Sequence, residues 1–363
     1  FLFYVKLCRC AITCETLVNK IFGALMPLLF ISCMNTSCTS ESPITEPRQQ
    51  EIVPAEIGSF AKGADVSWLT QMESEGLTFN NKSGVATECM KLLKEDCNVD
   101  AIRLRVWVNP AEGWSNADDV LAKARRAVAL GLRVMIDFHF SDTWADPGHQ
   151  QTPKEWADYD LSSMKAAVSN HVNATLTKLK AYNVTPEWVQ IGNETRTGML
   201  WPLGSIENGK NYAELTNAGY DAVKSVFPEA KVIVHLDGGD NIAYYTRVFD
   251  YMKSNGGKYD IIGMSLYPET GKSSEYVNKC VSNITSLFNI YGKPVIICEI
   301  GMDYDQAEEC RDCISSLISK GQATGHLEGI FYWEPQAPAG YNGGYNKGCF
   351  ENGSPTVALD AYK

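Results

Sequence analysis

Residues 101–139 run through one complete cycle: Ala101-Ile-Arg-Leu-Arg-Val-Trp107, then the stretch Asn116–Leu130, then Arg133-Val-Met-Ile-Asp-Phe-His139. The outer two runs have the length and branched apolar content of buried strands, and the middle one has the amphipathic spacing of a helix. A helix joining two such strands is the unit of a parallel sheet. The same cycle repeats on both sides. Strands are expected at Gly63–Val66, Ala101–Trp107, Arg133–His139, Glu187–Gly192, Lys231–Leu236, Ile261–Leu266, Val295–Glu299 and Gly329–Trp333. Helices are expected near Gly84–Asp96, Asn116–Leu130, Leu161–Ala181, Asn211–Phe227, Ala243–Ser254, Ser273–Ile290 and Glu308–Thr324, with Val357–Tyr362 closing the ring. Eight units in about 300 residues predict an α/β fold of the (β/α)8 TIM-barrel type in a single catalytic domain, residues 60–363. A doubly wound sheet would need a glycine-rich phosphate turn of the form GxGxxG after an early strand, and none follows the first or second.

The bulk properties agree with a globular chain. Of 363 residues 45% are hydrophobic and 21% charged, enough apolar content for a full core. The net charge of −11, without a lysine or arginine run, excludes an electrostatic nucleic-acid surface and favours a neutral or small ligand.

The N-terminus reads as an address. Lys20 precedes the apolar run Ile21–Ile31, too short to span a bilayer, and Phe30-Ile-Ser-Cys33 closes it like a bacterial lipobox. Residues 1–33 are therefore expected to be a signal and lipoprotein segment with Cys33 as the lipidated residue. Residues 1–19 lie upstream of its core and are left out of the fold. Residues 34–59, rich in Ser, Thr, Pro and Glu, read as a flexible tether. The expected location is the bacterial outer membrane or cell surface, with membrane contact only through the lipid, and the expected state is monomeric. Twelve cysteines are present, and export permits disulfides. Cys310-Arg-Asp-Cys313 lacks the second pair or histidine that a zinc set needs.

The longest connections, Ser141–Asp160, Thr195–Lys210 and Glu334–Pro355, follow strand ends, which places the working face at the strand C-termini. Polar residues gather there. The second strand ends Arg103-Leu-Arg105-Val-Trp107, the third Asp137-Phe-His139, the fourth Asn193-Glu194, the sixth at Tyr267, the seventh at Glu299, and the eighth Trp333-Glu334. Two glutamates on opposite strands suit glycosidic cleavage, where one carboxyl protonates the leaving oxygen and the other attacks the anomeric carbon or activates water. Strands four and seven lie across a barrel, so a separation of about 5–5.5 Å and a retaining mechanism are expected. Glu194 is assigned as acid/base because the Asn193 amide beside it can hold a sugar 2-hydroxyl. Glu299 is assigned as nucleophile, ionised by Arg103 and oriented by Tyr267.

The motifs Gly63-Ala-Asp65-Val-Ser, Arg103-Leu-Arg105-Val-Trp107-Val-Asn109-Pro110, Asp137-Phe-His139-Phe-Ser-Asp142-Thr-Trp144-Ala-Asp146-Pro147, Ile191-Gly-Asn193-Glu194, Leu200-Trp201-Pro202-Leu-Gly, His235-Leu-Asp237 and Tyr332-Trp333-Glu334-Pro335 together resemble glycoside hydrolase family 53, the endo-β-1,4-galactanases of clan A. The resemblance covers about Gly63 to Pro335. It implies retaining, endo-acting hydrolysis of β-1,4-galactan in type I arabinogalactan, a pectin side chain, with no cofactor required and with galacto-oligosaccharides as further ligands. It maps acid/base onto Glu194 and nucleophile onto Glu299, with His139 as a support. It also makes Asp65, Arg105, Trp107, Asp142, Trp144, Trp201, His235, Asp237 and Trp333 substrate-binding. Bacterial relatives hold the seventh loop with calcium, whereas here only Asp303 and Asp305 are suitably spaced and calcium is not expected. Fungal relatives tie the last two loops with a disulfide, which Cys310 or Cys313 with Cys349 would supply here. Rival readings are another clan A endo-β-glycanase, such as a mannanase or glucanase, and a catalytically silent glycan-binding barrel.

Overall fold

A computed structural model of the chain describes residues 54–363. The signal and lipid-anchor reading of residues 1–33, including Cys33, and residues 34–53 of the tether 34–59 fall outside the described residues.

Eight parallel strands close into a barrel: β1 Ala61–Asp65, β2 Ala101–Val106, β3 Arg133–Phe138, β4 Trp188–Ile191, β5 Lys231–Leu236, β6 Ile261–Leu266, β7 Val295–Ile300 and β8 Leu327–Trp333. Each pairs with its sequence neighbours, and β1 pairs with β8 to close the ring. Seven helices pack outside: α1 Cys89–Cys97, α2 Ala117–Ala129, α3 Leu161–Ala181, α4 Gly209–Val226, α5 Ile242–Ser254, α6 Ser273–Tyr291 and α7 Ala307–Ala323. A short helix, Leu69–Ser74, that sequence periodicity did not disclose follows β1. The eighth helical place is taken by the 3-10 turn Val357–Tyr362, whose Tyr362 hydroxyl reaches the carbonyls of Gly63 and Ile330 under the ring. Among the described residues no helix is long and apolar enough to cross a membrane.

Local chemistry sets the ends of these elements. Asn116 caps α2 by accepting the N–H groups of Asp118 and Asp119, and Asp160 caps α3 through Ser163. The first helix starts at Cys89, later than Gly84, because residues 81–85 are tied into a turn by the Asn81 side chain and Glu88 accepts the Lys91 N–H as the cap.

Inward-facing residues form two layers. The lower layer is apolar: Ala61, Ala101, Met135, Trp188, Ile233, Ile261, Ile296, Cys298 and Phe331 fill the barrel with almost no exposure. Gly63 makes room for it, since a Cβ there would meet Phe331 Cδ1 at 2.1 Å. The upper layer is polar: Asp65, Arg103, Arg105, Asp137, Gln190, His235 and Ser265 are all buried. The register sets Asp65 beside Arg103 and Arg105 beside Asp137, so strand pairing itself brings opposite charges together.

Candidate active site

Above the polar layer a cleft of about 520 Å³ opens at the strand C-termini. Its wall includes His139, Asn193, Glu194, Tyr267 and Glu299 from four strand ends, the indoles of Trp68, Trp144 and Trp333, and Asn342, Tyr345, Asn346 and Lys347 from the β8 loop.

Arg103 is the hub under this floor. Its Nη1 donates to Asp65 Oδ2 at 2.8 Å and to Glu299 Oε1 at 2.9 Å, while Nη2 donates to Asp137 Oδ2 at 2.8 Å and to Asn193 Oδ1 at 2.9 Å. A planar guanidinium with five fixed donors satisfies partners in several directions, as an ammonium could not. Burial would raise the Asp137 carboxyl, yet Arg103 and His139 hold it below the usual carboxylate range. His139 accordingly places Nε2 on Asp137, 2.9 Å away, and accepts the Ala145 N–H on Nδ1 at 3.2 Å. The Ala145 carbonyl accepts the Asn193 amide at 2.8 Å. One chain of bonds thus carries order from β2 through β3 and its loop to the end of β4.

Glu194 reaches the cleft because the chain turns sharply behind it. Gly192 has φ +85° and Glu194 itself φ +46°, a left-handed conformation that costs a non-glycine residue about 1–3 kcal/mol and is kept where its surroundings hold it. Its Oε1 accepts the Ser265 hydroxyl at 2.6 Å. Glu299 accepts Arg103 on one oxygen and the Tyr267 hydroxyl, at 2.8 Å, on the other.

The two carboxyls therefore differ. Burial pushes Glu194 well above the ordinary carboxylate range, and the charge of Glu299 pushes it further. Burial raises Glu299 as well, but Arg103 and the Tyr267 hydroxyl pull it back. Glu299 is the member that ionises first.

The sugar-facing expectations divide. Trp144 and Trp333 line the cleft. Trp107 stands behind Trp144, edge-on at 5.2 Å between centroids. Asp65, Arg105 and His235 do not line the cleft: Asp65 and His235 are wholly buried and Arg105 is 2% exposed. Asp65 serves Arg103 and Ser67, and His235 lies between Gln190 and Ser265. The Arg105 guanidinium sits 4.6 Å from the Trp107 ring and 4.2 Å from that of Trp144. Asp142 ties loops together by accepting the N–H groups of Asn109 and Lys154. Asp237 pairs with Arg196 at 2.8 Å, and the Trp201 indole donates to the Thr197 carbonyl. The expected disulfide is not formed: all seven cysteines among the described residues are free and buried, and Cys310 Sγ lies against the Tyr332 hydroxyl instead. Asp303 accepts Lys347 and Thr270, and among the described residues no three His, Cys, Asp or Glu side chains converge as a metal site.

Sequence reading missed Trp68, Ser265, Tyr345 and Lys347. Trp68 packs at a tilt against Trp333, 5.2 Å between ring centroids, and its backbone N–H donates to the buried Glu334 carboxyl. The period-two alternation of β6 carried a signal for Ser265, which shares a face with Ile261 and Gly263.

A family model described as glycosyl hydrolase family 53 matches residues 61–315. A probable arabinogalactan endo-β-1,4-galactanase A of Neosartorya fischeri is 32% identical over 299 residues, 76% of this chain and 83% of that protein. The arabinogalactan endo-β-1,4-galactanase of Thermothelomyces thermophilus is 32% identical over 297 residues, covering 76% and 89%. A solved structure from a study of two fungal β-1,4-galactanases superposes with a TM-score of 0.77 at 30% identity, over 83% of this chain and 98% of that one.

Proposed function

This chain belongs to glycosyl hydrolase family 53, and from that premise we propose that it cuts internal β-1,4-galactosidic bonds of arabinogalactan with retention of configuration, using Glu194 as acid/base and Glu299 as nucleophile. The observation that carries the role assignment is the unequal support of the two carboxyls. Arg103 and Tyr267 both donate to Glu299, whereas Ser265 alone donates to a Glu194 that burial keeps protonated. Pushing two pKa values apart in this way lets one pair act as acid and nucleophile at once.

In the first step a Glu299 oxygen bonds to the anomeric carbon while the glycosidic C–O bond breaks and Glu194 gives its proton to the departing oxygen. In the second, Glu194 takes a proton from water as the water oxygen displaces Glu299 from the same carbon. Asn193 keeps its Oδ1 on Arg103 and has amide hydrogen to offer the sugar 2-hydroxyl. Trp144 and Trp333 give the pyranose C–H faces a flat apolar surface.

Digestion of linear β-1,4-galactan, followed by chain-length analysis and proton NMR of the first product, tests this reading. A rapid early fall in polymer length with a β-anomer first is expected. Release of only monomer or dimer from the start, an α-anomer first, or turnover of mannan or cellulose in place of galactan overturns it. Export with lipid attachment at Cys33 is part of the same proposal, and alkyne-fatty-acid labelling checks it: wild type takes up the label and Cys33→Ala does not.

A further inference from the structure

Behind Glu194 lies a short run of buried groups whose protons can be counted. Ser265 Oγ is 2.6 Å from Glu194 Oε1 and 2.9 Å from His235 Nε2. His235 Nδ1 is 2.9 Å from Gln190 Nε2 and 3.0 Å from Asn193 Oδ1. Ser265 has one proton to give. His235, wholly buried and lowered in pKa by that burial and by Arg103, is neutral and also has one.

The amides at the far end have fixed orientations, because a guanidinium only donates. Arg103 gives Nε and Nη2 to Gln190 Oε1 at 3.3 and 3.2 Å, so the Gln190 NH2 faces His235. Arg103 Nη2 also meets Asn193 Oδ1, which therefore stands as an acceptor.

Two arrangements follow from the proton count. If His235 carries its proton on Nε2, it donates to Ser265, Ser265 donates to Glu194 Oε1, and Nδ1 accepts from Gln190 Nε2, which lies 2.9 Å from Nδ1 and 3.1 Å from Asn193 Oδ1 and so places amide hydrogen between these two acceptors. Oε1 is then an acceptor whether Glu194 is charged or not, and the acid proton must sit on Oε2. If the proton is instead on Nδ1, it goes to Asn193 Oδ1, and Ser265 spends its hydrogen on His235 Nε2. The 2.6 Å contact then needs Glu194 to be protonated on Oε1 and to donate inward, away from a substrate. Once Glu194 ionises, two oxygens without a proton between them would face each other. A retaining cycle takes Glu194 through both charge states, so only the first arrangement serves throughout, and the burial of His235 leaves its ring no solvent route for changing tautomer at each turnover.

Resting on the assignment of Glu194 as acid/base, we propose that Gln190, His235 and Ser265 form a one-way hydrogen-bond chain that holds His235 in its Nε2–H tautomer and assigns the catalytic proton to Oε2 of Glu194. They are positioning residues, acting through Glu194.

Nitrogen NMR of the full chain labelled with 15N-histidine reads the tautomer directly. The chain has five histidines, and His235 is the one whose resonances move in Ser265→Ala. A protonated Nε2 and an unprotonated Nδ1 are expected; a protonated Nδ1 overturns the proposal. The kinetic arm uses Ser265→Ala on two substrates. On galactan, whose leaving group needs a proton, kcat/KM is expected to fall about tenfold to a hundredfold, part of the roughly 10²–10⁴ that general acid catalysis supplies. On a 2,4-dinitrophenyl β-galactobioside, whose leaving group needs none, it should stay within about threefold. Equal losses on both would mark a merely structural role and overturn the proposal. Wild-type inactivity on galactan would instead strike the functional reading, while the tautomer result would still stand or fall by itself.

Discussion

The two layers inside this barrel are built from the same strands and do opposite things. The lower one, with Phe331, Trp188 and Ile296, is dry packing whose worth comes from apolar area and tight fit. The upper one, one strand repeat higher, buries Asp65, Asp137 and two guanidinium groups at 2% exposure or less, with the equally buried Glu334 beside Arg105, and is held by bonds that run to named partners. A buried charge is a weak source of net stability, since its desolvation offsets its attraction, but losing one partner leaves the rest uncompensated. The floor therefore tolerates change by repacking, and the upper layer does not. The upper layer's return is geometry: it points Glu299, Asn193 and His139 into the cleft from three different strands.

That contrast can be broken most severely at the cleft. Glu299→Gln should lower kcat on galactan by about 10⁴-fold or more, the scale of losing one member of a cooperating catalytic set, with a melting temperature close to wild type. Comparable activity in the variant would remove Glu299 from the chemistry. Next comes the hub. Arg103→Met strands Asp65, Asp137 and Glu299 in a buried site, and a loss of about 3–5 kcal/mol is expected in urea unfolding, together with loss of turnover. A variant of wild-type stability would show that these acids do not depend on the guanidinium.

The floor should behave differently. Gly63→Ala places a methyl against the Phe331 ring and should cost about 1–3 kcal/mol by overpacking, while kcat per folded molecule stays near wild type. A large fall in kcat with little loss of stability would mean that the two layers are mechanically coupled.

Proton linkage gives the smallest and most specific signal. Burial raises Glu334 from 4.5 to about 8, with Asp65 adding and Arg105 opposing. A folded value above the unfolded one means the folded chain holds the proton more tightly. That contribution to stability is complete below about pH 4.5 and is lost as pH climbs through about 8. Thermal melts between those limits should show a shallower pH dependence for Glu334→Gln than for wild type, and identical slopes would contradict the burial argument. In kinetics the proposed roles predict a bell-shaped dependence, since Glu299 would have to be ionised and Glu194 protonated. The acid limb follows the first and the alkaline limb the second, with apparent values belonging to the pair.

Much of this was legible beforehand. The bounds of Lys231–Leu236, Ile261–Leu266 and Leu161–Ala181 coincide in sequence and structure, because each is a long apolar or amphipathic run with clear flanks. Period two also told which residues face inward, and so it brought Arg103, Asp137, Asn193, Glu194 and Glu299 to one end. What it did not tell is depth. Asp65, Arg105 and His235 face inward as expected but sit one level beneath the cleft, where they position other side chains. Trp68, Tyr345 and Lys347 come from loops whose path is set by contacts distant in sequence, such as Trp68 N–H to Glu334 and Lys347 to Asp303, and local patterning carries no trace of them. The thiols of Cys310, Cys313 and Cys349 show the same limit, since spacing alone does not tell whether sulfurs pair.

The most direct test is to trap the first half of the reaction. Incubation with a 2-deoxy-2-fluoro-β-galactobiosyl fluoride, whose slowed second step lets an ester accumulate, followed by intact mass and peptide mapping, should find one fluorogalactobiosyl group on the peptide containing Glu299. An adduct on Glu194, or none from a protein that still cuts galactan, would contradict the pairing of these two carboxyls across one sugar ring.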